Sequence, residues 1–164
     1  MKGKAFRGFT LIELIVVIAI IGILAVILVP SMMGYVRMSR MRRFNSNAAT
    51  VFKGAQLACV DIANAGGEVL ASTVFLNNGD GDCECKDSNG TVMDISDYVG
   101  SEFKGYFGFI TDTEGSGCAY AMWSESKITT DMLQNQMTEM EVKDTFKGSS
   151  KIPRGCHPLK QANE

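Results

Sequence analysis

Apolar residues fall in three patterns along the chain. From Phe9 to Val29 nearly every position is apolar, and Glu13 is its one ionisable residue. A run of about twenty-one residues, rising 1.5 Å each as a helix, crosses a hydrocarbon core about 30 Å thick. A secretory signal peptide has a shorter apolar region followed by a small-residue cleavage site. This run continues to Pro30, so it is expected to stay as an anchor. Beyond Pro30, Met41, Phe44, Ala48, Val51, Ala55, Ala58 and Ile62 recur at spacings of three and four. That spacing predicts one narrow apolar stripe on a helix, stopped by Gly66 and Gly67. A helix from Phe9 to about Ala65 would be roughly 85 Å long, with Pro30 kinking or loosening it. Its first part meets lipid or other subunits, and its striped part is core against its own head.

After the two glycines the pattern shortens. Val69–Leu76 is apolar without a clear period, and Asn77–Gly90 has the composition of a loop. Ile95–Phe103 suggests a short helix or turn. Tyr106–Ile110 and Ala119–Trp123 suggest two strands, joined as a hairpin by Thr111–Gly117. In Thr130–Phe146, Met132, Leu133, Gln136, Met137 and Met140 favour a helix capped by Thr129 or Thr130. The tail, with Pro153, Gly155 and Pro158, is expected to be irregular. The chain is thus α+β: a long N-terminal helix, transmembrane in its first half, packed on a small antiparallel sheet. The expected segments are a leader over 1–8, a membrane half-helix over 9–29, an amphipathic half-helix over 30–65 and a head over 66–164.

Charge sharpens this division. Residues 1–44 carry seven Lys or Arg and one acid, whereas residues 45–164 carry nine basic and seventeen acidic residues. An acidic head argues against phosphate-backbone binding, so no nucleic-acid partner is expected. Arg37, Arg40, Arg42 and Arg43 follow the apolar run and suit lipid headgroups. Basic residues flank both ends of the run, so counting them does not set its orientation. All five cysteines (Cys59, Cys83, Cys85, Cys118 and Cys156) lie beyond the run, on one side of a membrane, which fits an oxidising compartment. Their odd number leaves at least one thiol free or paired with another chain.

Candidate chemistry in the head is thin. There is no C-x-x-C and a single histidine, His157, so no metal site is expected. Asp80, Asp82 and Glu84 take the first ligand places of a calcium loop, but Cys85 stands where its glycine belongs and Thr91 where its last acid belongs. A solvated acidic loop is the simpler account. Cys156 beside His157 is not a credible nucleophile pair, because sequence neighbours seldom orient that way. Tyr106, Phe107, Tyr120 and Trp123 suit core packing better than a sugar platform. No enzyme and no cofactor are expected.

The N-terminus carries the strongest signal. Lys2, Lys4 and Arg7 precede Gly8-Phe9-Thr10-Leu11-Ile12-Glu13. An ionised acid inside a membrane span costs about 2.5–3.5 kcal/mol on insertion scales and calls for a partner. Two roles are open to Glu13. Thr10-Leu11-Ile12-Glu13 is a capping box, in which the carboxylate serves free donors at the helix start. A cut between Gly8 and Phe9 would also free an ammonium four residues before Glu13. The cap alone does not explain an acid inside a spanning run, so the charge pair is favoured.

Residues 2 to about 43 resemble the start of type IV prepilins and type II secretion pseudopilins, with helix breakers at Gly22 and Pro30. The resemblance implies a prepilin peptidase that cuts after Gly8 and methylates the new amino group of Phe9. It implies that Glu13 guides assembly by meeting the Phe9 amine of an adjacent subunit in a helical homo-oligomer. It places the leader in the cytoplasm, the anchor in the cytoplasmic membrane and the head outside, later in an extracellular filament. The expected function is a structural pilin used in adhesion, motility or uptake, built by pilus or secretion machinery. The alternatives are a secretion or competence pseudopilin, or a minor pilin that binds polysaccharide. Heads of such proteins often close a C-terminal loop with a disulfide, which would pair Cys118 with Cys156. Cys59 would then pair with Cys83 or Cys85, a connectivity that sequence does not determine.

Overall fold

The computed structural model describes residues 9–100, 103–147 and 151–161. The leader, including Gly8, lies outside them. The chain divides into two compact units, 1–38 and 39–164.

The first unit contains the start of α1 (Leu11–Asn64), which continues unbroken through Pro30. Every described residue from Phe9 to Arg40 is exposed. Among the described residues α1 is the one helix long and apolar enough to cross a membrane.

The second unit is built on the rest of α1. Met41, Phe44, Ala48, Val51, Gly54, Ala55, Ala58 and Cys59 are buried, following the three-and-four spacing of the stripe. The helix ends where Gly66 turns to φ 79°. Gly66 N–H then donates to Ala63 O at 3.0 Å and Gly67 N–H to Ile62 O at 2.9 Å. These two bonds satisfy carbonyls that the last turn leaves free.

Among the described residues six strands follow: β1 (Val74–Asn77), β2 (Glu84–Lys86), β3 (Val92–Asp94), β4 (Tyr106–Thr111), β5 (Cys118–Ser124) and β6 (Gly155–His157). They form one sheet in the order β3-β2-β1-β4-β5-β6, with every neighbouring pair antiparallel. Three short helices are also present among the described residues: α2 (Ser96–Val99), α3 (Thr130–Leu133) and α4 (Glu139–Thr145).

Strand alternation sorts side chains to the two faces of the sheet. Phe75, Phe107, Phe109, Ala121 and Trp123 join Phe44, Ala48, Val51 and Ala55 of α1 in one core. Phe75 and Phe109 are cross-strand partners whose rings stack at 5.2 Å. On the other face Met122 and Cys156 pack with Leu133, Met137 and Val142 from the α3 and α4 region. The sheet is thus covered on both faces, by α1 on one side and the short helices on the other.

Three elements differ from the sequence expectations. The polar stretch Asn77–Gly90 contains β2, whose Cys85 is buried while Glu84 and Lys86 face out. The tail contains β6, held by pairing of Ala121, Met122 and Trp123 with His157, Cys156 and Gly155. Gly155 is required there, since a Cβ would collide with the backbone of Phe44 and Asn45. The helix expected over Thr130–Phe146 is two helices. Thr129 makes no side-chain cap, whereas Thr138 and Glu141 form a complete capping box that starts α4. That second cap competes with continuation of α3.

Candidate functional site

The start of α1 is built by Thr10 and Glu13. Glu13 Oε2 accepts from Thr10 N–H at 2.9 Å and from the Thr10 hydroxyl at 2.6 Å. Glu13 N–H donates back to Thr10 Oγ1 at 3.4 Å. The capping box is therefore formed, and it ties the carboxylate to the first turn. Phe9, directly before it, is 85% exposed. Joined to Gly8 in the sequence, the nitrogen of Phe9 is a neutral amide.

The apolar surface that follows is continuous. Ile12, Ile15, Ile18, Ile23 and Val29 all stand about half exposed or more. Such a surface requires lipid or another apolar partner.

At the base of the head, Arg40 and Arg43 both bond to the carboxylate of Glu125. Their guanidinium groups also lie over the Phe44 ring, at 5.7 and 5.4 Å. Sequence assigned these arginines to lipid headgroups. Their partner lies more than eighty residues away, where no local signal reveals it. The bond from Arg40, with that from Arg43, holds the Glu125 carboxyl below the usual carboxylate range. A lowered folded-state value stabilises above the unfolded pKa, and that contribution is lost as pH falls through the folded value. Glu125→Gln should therefore flatten the acid side of a melting-temperature profile. At neutral pH it should cost less than about 1 kcal/mol, because the pair is largely exposed.

The other candidates resolve into structural roles. Asp80 Oδ1 accepts from Gly105 N–H at 2.7 Å, and Asp82 Oδ1 from Glu84 N–H at 3.0 Å. Both carboxylates are thus used to fix turns. Among the described residues no three His, Cys, Asp or Glu side chains group as metal ligands. Phe107 and Trp123 are buried against α1, while Tyr106 and Tyr120 pack on the opposite face. The four aromatics therefore form no common platform. Cys156 packs toward the short helices, and the His157 ring sits 5.2 Å from Phe52 of α1. Neighbours on one strand point apart, so these two cannot act as a pair.

All five cysteines are buried thiols in this structure. The expected Cys118–Cys156 partners are not brought together. Cys156 lies opposite Met122 on β5, and Cys118 is four residues further along that strand. Four residues of strand span about 13 Å, well past the roughly 7 Å Cα limit for a disulfide. Cys59 shares its core with Cys83, Cys85 and Cys118.

Neither the curated proteins nor the solved structures return a match to this chain. Residues 3–29 match the family model of the prokaryotic N-terminal methylation motif. With the apolar helix α1, the motif points to membrane anchoring and to a structural subunit rather than an enzyme. Residues 3–29 thus carry an N-terminal motif of the type IV pilin and pseudopilin kind.

Proposed function

We propose that this chain is the precursor of a pilin, a structural subunit of a type IV pilus-like surface filament. Prepilin peptidase cuts it after Gly8 and methylates Phe9. The first part of α1 then holds the subunit in the cytoplasmic membrane, head outward, until it enters the filament. The observation that carries this reading is one carboxylate, Glu13, four residues after Phe9 in an otherwise apolar run. An unpaired acid in that position is costly in lipid. The cation released at Phe9 offsets that cost when subunits pack side by side. The exposed apolar face of α1 supports the same reading, since it exchanges lipid for neighbouring helices without meeting water.

Mass spectrometry of sheared surface material tests the proposal. Subunits should begin with N-methyl-phenylalanine at position 9. Gly8→Trp should leave full-length precursor in the membrane, with filament subunit reduced below detection. Filaments whose subunits keep residues 1–8 would overturn the reading. Secretion and competence pseudopilins share the same start, and abundance separates them: a pilin dominates the sheared material, and a pseudopilin is scarce in it.

A further inference from the structure

The five cysteines sort by place. Cys156 lies on the face of the sheet covered by α3 and α4. Cys83, just before β2, and Cys85, within it, are two residues apart in one segment. Cys59, on α1, and Cys118, at the start of β5, come from different elements and share the core between helix and sheet. The hairpin end that carries Cys118 is held against α1 close to Cys59. Cys118 N–H donates to Gln56 Oε1 at 2.8 Å. Gly117 sits so tightly on the same Gln56 amide that a Cβ would clash with it. Gln56 and Cys59 are three residues apart, hence neighbours on one helix face about 4.5 Å apart along the axis. Asp112, at the other side of the hairpin end, closes it by donating its N–H to Gly117 O at 2.9 Å. No other pair of cysteines joins two distant elements through a shared anchor of this kind among the described residues.

We propose that Cys59 and Cys118 form a disulfide in the exported protein, stapling the β4–β5 hairpin to α1. The outside location rests on the pilin reading above. Two S–H bonds break and one S–S bond forms. The two electrons and two protons pass to a disulfide-type oxidant, which leaves as a dithiol. A thiolate of one cysteine attacks the oxidant, and the second thiol then displaces it from the mixed disulfide. In the closed head burial pushes the Cys59 thiol up to about 11, and pushes Cys118 up as well. Thiolates are then scarce, so the bond forms during folding, before the hairpin seals on the helix. Cys156, alone on the opposite face, stays a thiol.

The test uses full-length protein taken from membranes or filaments into alkylating agent without reductant, then digested for peptide mass spectrometry. The peptides containing Cys59 and Cys118 should appear joined, two hydrogens lighter than their separate forms, with Cys156 alkylated. Alkylated Cys59 and Cys118 in chains that begin at Phe9 would overturn the disulfide and leave the pilin reading intact. A joined pair in chains that keep residues 1–8 would overturn the processing and leave the disulfide intact. Thermal melting in detergent gives a second measure. Cys59→Ala and Cys118→Ala should each lower Tm by about 10 °C, and the double variant no further. Reductant should lower the wild type equally and leave the variants unchanged. Additive losses with a reductant-insensitive wild type would mean that both residues are only packed thiols.

Discussion

Glu13→Val is expected to insert in the membrane and be cut at least as well as wild type, yet to be nearly missing from filaments assembled beside wild-type subunits. Valine removes the cost of placing an acid in lipid, so the monomer gains. On the proposed reading, the same change deprives the Phe9 cation released by cleavage of its partner. Methylation does not remove that cation's charge. Removing one member of a buried ion pair costs about 3–5 kcal/mol, equivalent to at least about two orders of magnitude in incorporation. The attraction within the pair is strong in low dielectric, and desolvation cancels much of it. Its main effect is therefore on register and on selecting subunits already cut. Glu13→Gln separates charge from shape, since its amide oxygen can still accept from Thr10 N–H and the Thr10 hydroxyl, the bonds Glu13 makes now. The measurement compares monomer in membranes with subunit in sheared filaments for all three proteins. If both variants polymerise like wild type, the carboxylate serves only as the helix cap and the charge-pair account fails.

Phe44→Ala should produce the largest loss of head stability of any single truncation in α1. Phe44 is fully buried. Its ring meets Trp123 edge-on at 4.7 Å and Phe146 at 5.0 Å. It also carries the guanidinium groups of Arg40 and Arg43 on its face. Truncating a buried Phe costs about 3–5 kcal/mol. Here the upper part of that range is expected, because the backbone of Gly155 already abuts Phe44 and β6 has little room to move into the gap. Met140→Ala is the control, since Met140 is 73% exposed and its loss should fall within about 0.5 kcal/mol. Urea unfolding of the full chain in detergent, followed by Trp123 fluorescence, reads both. An equal midpoint for the two variants would show that α1 contributes little to the core of the head.

The two predictions act on different parts of one helix. Residues near Glu13 are exposed in the single chain and have consequences only through partners. The stripe residues from Met41 to Cys59 are already buried by the chain itself. A variant in the first part should change assembly with an unchanged melting curve, and a variant in the second should change the melting curve first.

What the sequence determined by itself was local and periodic. The apolar run, the stripe from Met41 to Ala58, the stop at Gly66 and Gly67 and the β4–β5 hairpin each declare themselves within a few turns or a few residues. The same holds for the capping box of Thr10 and Glu13, because its partners are three residues apart. The tertiary structure decided the rest. β2, β3 and β6 have three residues each, too few to show a period. They are strands because a neighbouring backbone offers hydrogen-bond partners, as β5 does for Gly155–His157. The break between α3 and α4 came from a second cap, hidden in a sequence that carries helical spacing across it. The bond of Arg40 and Arg43 to Glu125, and the placing of Cys118 near Cys59 rather than Cys156, join residues far apart in the chain. Register and face decide such meetings, and both exist only once the sheet has closed on the helix.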